Sequence, residues 1–192
     1  MTGLEFDQVR LDAFREIGSI AIGNAATSLS AMLGRKVNIT LPNVTVELVE
    51  KIPEFFGGRE KILTSVLFTI SGQVTGSIFL VLNSSESIKL VNALTGKKAA
   101  NIESLDEMGS SALKEMGNIL IGAFIRVLSD GLRMKITYSV TGFSFNMVGA
   151  FFDEILARLA IETEHAVIME SEFYVLENVC QGHLVFVLTQ HA

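Results

Sequence analysis

The sequence predicts an α+β fold with internal pseudo-twofold symmetry, in which two halves share one largely antiparallel sheet and two long helices pack on it. Three observations carry this. The chain repeats itself at a distance of roughly a hundred residues: Ala13–Gly23 lies over Ala112–Gly122, identical or conservative at nearly every place, with Ser19 against Asn118 as the one change of chemistry. Apolar residues in both copies recur at helical three- and four-residue steps. Runs rich in β-branched residues, broken by glycine, follow each helix and predict antiparallel strands joined by tight turns.

The elements follow in order. The first helix is expected from about Asp7 to Leu33, with Gly34 ending it. Strands are expected at Val37–Thr40 and Val44–Val49. The uncharged run from Ile62 to Ser85 is long enough to span a bilayer, but Thr64, Ser65, Thr69 and the Ser71-Gly72 break make it a hairpin, Ile62–Ile70 with Val74–Leu82, and no membrane insertion is expected. A short helix fits Ser85–Leu94, with Gly96 beyond it. The second long helix is expected from Asp106 to Ser129, because Ala112, Met116, Ile119 and Ala123 alternate with Leu113, Leu120 and Phe124 along one stripe. Asp106 and Glu107 suit its first turn, and Gly131 is placed to stop it as Gly34 stops the first. Strands Lys135–Val140, Val167–Leu176 and Cys180–Leu188 complete the second half, with a helix from about Met147 to Leu159 and Gly182 matched to Gly76. No linker divides the chain, so residues 1–192 read as one domain holding repeats of about 7–96 and 106–190.

Composition narrows the function. The chain is 49% hydrophobic and 19% charged, with a mean hydropathy of +0.45, the opposite of a disordered tract. A net charge of -6 argues against a nucleic-acid partner, which needs a basic surface. A lone cysteine, Cys180, and no secretory signal pattern predict a cytoplasmic protein. His165, His183 and His191 lack metal-ligand spacing, so no metal site is expected. Met116, Met134, Met147 and Met169 read as core filling, the Asn146–Phe152 stretch as core around a helix start, and Arg126 and Arg133 as solvated.

Within the repeat, Glu16 and Glu115 are carboxylates in otherwise apolar stretches. On an ideal helix Ser111, Glu115 and Asn118 form one stripe opposite the apolar face. Gly117 and Gly122 flank it, and a mid-helix glycine, which costs about 1 kcal/mol against alanine, implies close packing or room for a partner surface. The residues alone favour a plain solvated helix face.

The pattern Asp12, Glu16, Ser19 with Pro42 beyond, repeated as Ser111, Glu115, Asn118, resembles the signature of the CheC/CheX/FliY phosphatases of chemotaxis, and the Glu16–Ser30 phrase is similar to the CheC first helix almost throughout. The resemblance implies hydrolysis of the phospho-aspartate of the receiver CheY, with Glu115 pairing with the receiver's active-site lysine and Asn118 holding the attacking water. It also implies that Mg²⁺ is supplied by the phosphorylated receiver, not bound by this chain, and that the deamidase CheD is a possible partner, docked by the second-half helix. Ser19 stands where the second copy has Asn118, so Glu16 and Ser19 are expected to form a weak site, with Asp12 and Ser111 supporting their motifs. Pro42, facing Thr141 in the second half, is expected to shape a turn. The rival expectation is a binding module that sequesters CheD or phospho-CheY without turnover. Since one chain carries both halves, a monomer is expected.

Overall fold

The computed structural model describes residues 8–98, 101, 105–150, 152–153, 164–175 and 178–189. Helix α1 (Gln8–Leu33) leads into strand β1 (Val37–Leu48), then a 3-10 turn and the short α2 (Ile52–Phe55). The hairpin β2 (Ile62–Gly72) and β3 (Thr75–Asn83) follows, then α3 (Ser84–Thr95). Helix α4 (Glu107–Leu132), β4 (Ile136–Met147), β5 (His165–Val175) and β6 (Asn178–Thr189) form the second half. The strands make one antiparallel sheet in the order β1-β5-β6-β3-β2-β4. Exchanging β1 with β4, β2 with β5 and β3 with β6 returns the same order, so the sheet has the symmetry the repeat predicts.

The two halves match closely where helix meets edge strand. Helices α1 and α4 are each 26 residues long, and each ends on a left-handed residue, Gly34 at φ 61 and Arg133 at φ 53. Gly131 does not stop α4, as had been expected; it lies inside the last turn, and Arg133 holds the left-handed position. For a side chain bearing Cβ that conformation costs roughly 1–2 kcal/mol. The capping N–H of Arg133 reaches the carbonyl of Ser129, which fixes it there.

Strands β1 and β4 are each 12 residues and lie at opposite edges of the sheet. Both carry a bulge at the same place: the register shifts between Thr40 and Asn43 against β5, and between Val140 and Gly142 against Leu67 and Phe68 of β2. Pro42 and Thr141 occupy the two bulges. A proline has no N–H for a ladder and is tolerated at an edge-strand bulge, so Pro42 kinks a continuous strand instead of turning between two. The two strands expected before and after it are therefore one, and β4 runs on to Met147 instead of ending at Val140. Helix begins at Val148 and includes Phe152 and Asp153; residues 154–159 of the expected helix lie outside the described residues.

The hairpins differ from the sequence match by a slide of two residues. Leu80 pairs with Leu184 at the centre of the sheet, and the flanking pairings superpose Gly76 on Cys180, not on Gly182. A two-residue slide keeps every side chain on its face, so the hydrophobic pattern could not reveal it.

Central strands are buried on both faces. One face, through Val66, Phe68, Ile70, Ile78, Leu80 and Leu82, packs against α1, α3 and α4. The other, through Leu63, Phe79, Val81, Val185 and Val187, is covered by Ile52 of α2, by Phe56 just after it, and by Val148 and Phe152. Phe14 of α1, Phe124 of α4 and Phe186 of β6 join at ring-centroid distances of 5.4, 5.3 and 4.5 Å, tying the two long helices to the sheet, each ring pair adding about 0.5–1.5 kcal/mol. Met116 and Met169 are buried as expected, but Met147, 48% exposed at the end of an edge strand, is not core. No helix among the described residues is long and apolar enough to cross a membrane.

Candidate functional site

Helix α4 sits directly on the sheet because it carries glycine where it meets it. A Cβ on Gly117 would come within 2.8 Å of Phe68 Cζ, a ring buried in the core, so this glycine serves close packing. Leu113, Met116, Leu120, Phe124 and Leu128 point down. The opposite face then carries Ser111 and Glu115, both exposed, and Asn118, half-buried, as the helical spacing predicts. No hydrogen bond or ion pair joins the Ser111, Glu115 or Asn118 side chains to any described residue, so their donors and acceptors stay available to an incoming group. Lys114 lies over the Phe143 ring on β4, 5.5 Å from its centre, instead of pairing with Glu115.

The first copy has the same frame and a different surface. Asp12, Glu16 and Ser19 are all exposed on α1. Arg15, the counterpart of Lys114, pairs with Asp12 at 2.7 Å, an exposed i,i+3 pair worth well under about 1 kcal/mol. The structure thus brings each motif together on its own helix.

Beside Asn118 lies a cleft of about 630 Å³ between α1, α4 and the start of β4. Asn24 and Ser28 of α1 form one wall, Asn118, Gly122 and Arg126 of α4 another, and Thr137 and Tyr138 of β4 the floor. The Ser28 hydroxyl donates to the backbone carbonyl of Asn24 at 3.0 Å and the Thr27 hydroxyl to that of Gly23 at 3.0 Å, so both serve helix backbone bonding. Arg126 and Arg133 are exposed. Among the described residues, no group of three or more His, Cys, Asp or Glu side chains stands together as a metal site would.

Sequence reasoning missed Tyr138. Its hydroxyl donates to the backbone carbonyl of Asn118 at 3.3 Å, and a Cβ on Gly122 would lie 2.5 Å from that hydroxyl. The signal was present as an asymmetry between the halves. Ile39 holds the corresponding place on β1, and Gly23, the counterpart of Gly122, faces open space.

Comparison with known proteins agrees with this frame. Residues 9–46 match the model of the CheC-like family. The chain is 31% identical over 167 residues to a protein of Bacillus subtilis (strain 168) named CheY-P phosphatase CheC, a match covering 86% of this chain and 80% of the relative. It is 32% identical over 136 residues to the flagellar motor switch phosphatase FliY of the same organism, of which it spans only 35%. Its fold superposes on the crystal structure of Thermotoga maritima FliY with a TM-score of 0.77 and 25% sequence identity, over 96% of this chain and 92% of that one.

Proposed function

We infer, from the premise that this chain belongs to the CheC-like family, that it hydrolyses the aspartyl phosphate of a CheY-type receiver and does so chiefly at Glu115 and Asn118 of α4. The observation that carries the choice of site is the α4 stripe: an exposed Glu115 with no partner among the described residues, and one helical turn on, a half-buried Asn118 whose carboxamide is uncommitted. Residues three apart on a helix rise by about 4.5 Å and share a face, so a receiver held by Glu115 meets Asn118 at a fixed offset.

The chemistry asks little more of this chain. An acyl phosphate is already activated, and what remains is to place a water in line with the phosphorus and to exclude other geometries. A carboxamide accepts a hydrogen bond from that water with its oxygen and offers its N–H as a donor, which holds the water in one orientation. Glu115 supplies the docking charge, matched to a cationic side chain on the receiver. The half-burial of Asn118 limits its rotamers, and a fixed rotamer is what turns a hydrogen-bonding group into a positioning one.

Helix α1 has the docking carboxylate, Glu16, but ends its motif on Ser19. A serine hydroxyl stops roughly 1 Å nearer the backbone than a carboxamide, and a misplacement of about 1 Å costs around 10²-fold. The α1 surface therefore reads as a docking face with little turnover.

The test is phosphate release from a phosphorylated CheY-type receiver in the presence of Mg²⁺, comparing wild type with Asn118→Ala and Glu115→Ala. Accelerated release that either change removes is the expected result. Tight binding of the receiver without acceleration would overturn this reading in favour of a sequestering module.

A further inference from the structure

We propose that Tyr138 is a positioning residue for Asn118, fixing the turn of α4 that carries it; the inference rests on the reading of the α4 site given above. Three observations meet at one point. The Tyr138 hydroxyl donates to the carbonyl oxygen of Asn118 itself. That carbonyl belongs to the helix turn closed by Gly122, and a methyl group at position 122 would stand 2.5 Å from the hydroxyl, so the mid-helix glycine is what admits it. The ring is held from below by Phe68, 6.4 Å between centroids and tilted, and Phe68 lies under Gly117. Two glycines, one on each side of Asn118, thus let two aromatic side chains of neighbouring strands grip the helix at that residue.

The consequence is directional. A side chain inherits the position of its own backbone, and a helix face pinned only by apolar packing slides and rolls more readily than one tied by a hydrogen bond to a strand. Tyr138 reaches from β4, so it ties the base of the Asn118 side chain to the sheet. Its hydroxyl is committed to the backbone of Asn118, so its effect is expected on the placement of Asn118 and not on receiver docking, which belongs to Glu115. In the first half Ile39 replaces the tyrosine and nothing approaches Gly23 within 4 Å, so Ser19 lacks this tie as well as the carboxamide.

The experiment measures kcat and KM for phosphate release from the phosphorylated receiver in four variants: Tyr138→Phe, Gly122→Ala, the two combined, and Asn118→Ala as reference. Tyr138→Phe keeps the ring and is expected to lower kcat about tenfold with KM within about twofold, part of the roughly 10²-fold that a misplacement of about 1 Å costs. Gly122→Ala displaces the hydroxyl and should lower kcat to the same degree although the tyrosine is intact. The double variant should fall within about twofold of either single one, since both changes act through one hydrogen bond. A wild-type kcat for Tyr138→Phe, beside an inactive Asn118→Ala, overturns the inference; so does a rise in KM with kcat unchanged, which would make Tyr138 a receiver contact. Full activity in Asn118→Ala would instead sink the reading of the α4 site. If Gly122→Ala proves unstable, the kcat and KM of Tyr138→Phe decide alone.

Discussion

Helices α1 and α4 have equal length, end on the same left-handed cap and feed edge strands with a bulge at the same place, yet they present different surfaces. The α4 copy has an unpaired carboxylate, a carboxamide and a tyrosine tie from the following strand. On α1 the carboxylate is kept as Glu16, but an Asp12–Arg15 pair stands at the places of Ser111 and Lys114, a serine at that of Asn118 and an isoleucine at that of Tyr138. The comparison teaches that the backbone frame is conserved by packing, through the buried stripes of both helices, while the capacity for chemistry resides in a few positions that packing does not constrain. A duplicated frame can keep one copy catalytic and release the other for docking.

Four tests would break or sharpen this comparison. The largest effect is expected from Asn118→Ala, which should lower phosphate release about 10²-fold, against less than about twofold for Ser19→Ala in the same assay; equal losses would erase the distinction between the copies. Next is the glycine pair. Gly23→Ala, into open space, should stabilise the protein by about 1 kcal/mol in denaturant unfolding, whereas Gly122→Ala must displace the Tyr138 hydroxyl and should come out about 1–2 kcal/mol less favourable than its counterpart. Ser19→Asn should raise the rate by only about a tenth, since the new carboxamide would add one site without the tyrosine tie; a gain of about twofold would show that the tie is dispensable.

The smallest effect concerns pH. His183 superposes on Phe79 of the first half, its ring edge-on to Phe55 and Phe56 at 5.7 and 5.2 Å. Burial pushes its pKa below 6.5, while the Glu170 carboxylate pulls more weakly the other way. Glu170 lies 4.0 Å away and Lys61 lines the same small pocket. The neutral form is favoured on folding, so its contribution is fully present above pH 6.5 and is lost as the pH falls through the lower folded pKa. His183→Phe is expected to flatten the decline in stability between pH 7 and 5, as read by thermal unfolding at a series of pH values; an unchanged slope would show that His183 does not drive it.

Much of the candidate site was legible beforehand because it lies on one helix. Ser111, Glu115 and Asn118 share a face by spacing alone, and their repetition as Asp12, Glu16 and Ser19 gave the contrast between the copies. The same reading stopped α4 at Gly131, since glycine is the usual left-handed cap, and had no means of seeing that Arg133 takes that conformation. It broke β1 at Pro42, since proline usually ends a strand, and could not know that the strand lies at the edge of the sheet where a bulge absorbs it.

The sequence by itself determined the duplication, the two long helices, the hairpin at 62–83 and the face on which each carboxylate stands, because helical and strand periodicities are local and survive without knowledge of neighbours. Only the tertiary structure decided the strand order, the two-residue slide of the second hairpin and the contact of Tyr138 with Asn118. Those depend on which residues far apart in the chain meet, and a period-two pattern is the same for every even shift of register. The glycines show the division most plainly: the sequence marks Gly117 and Gly122 as unusual in a helix, and packing alone reveals that one makes way for Phe68 and the other for a hydroxyl.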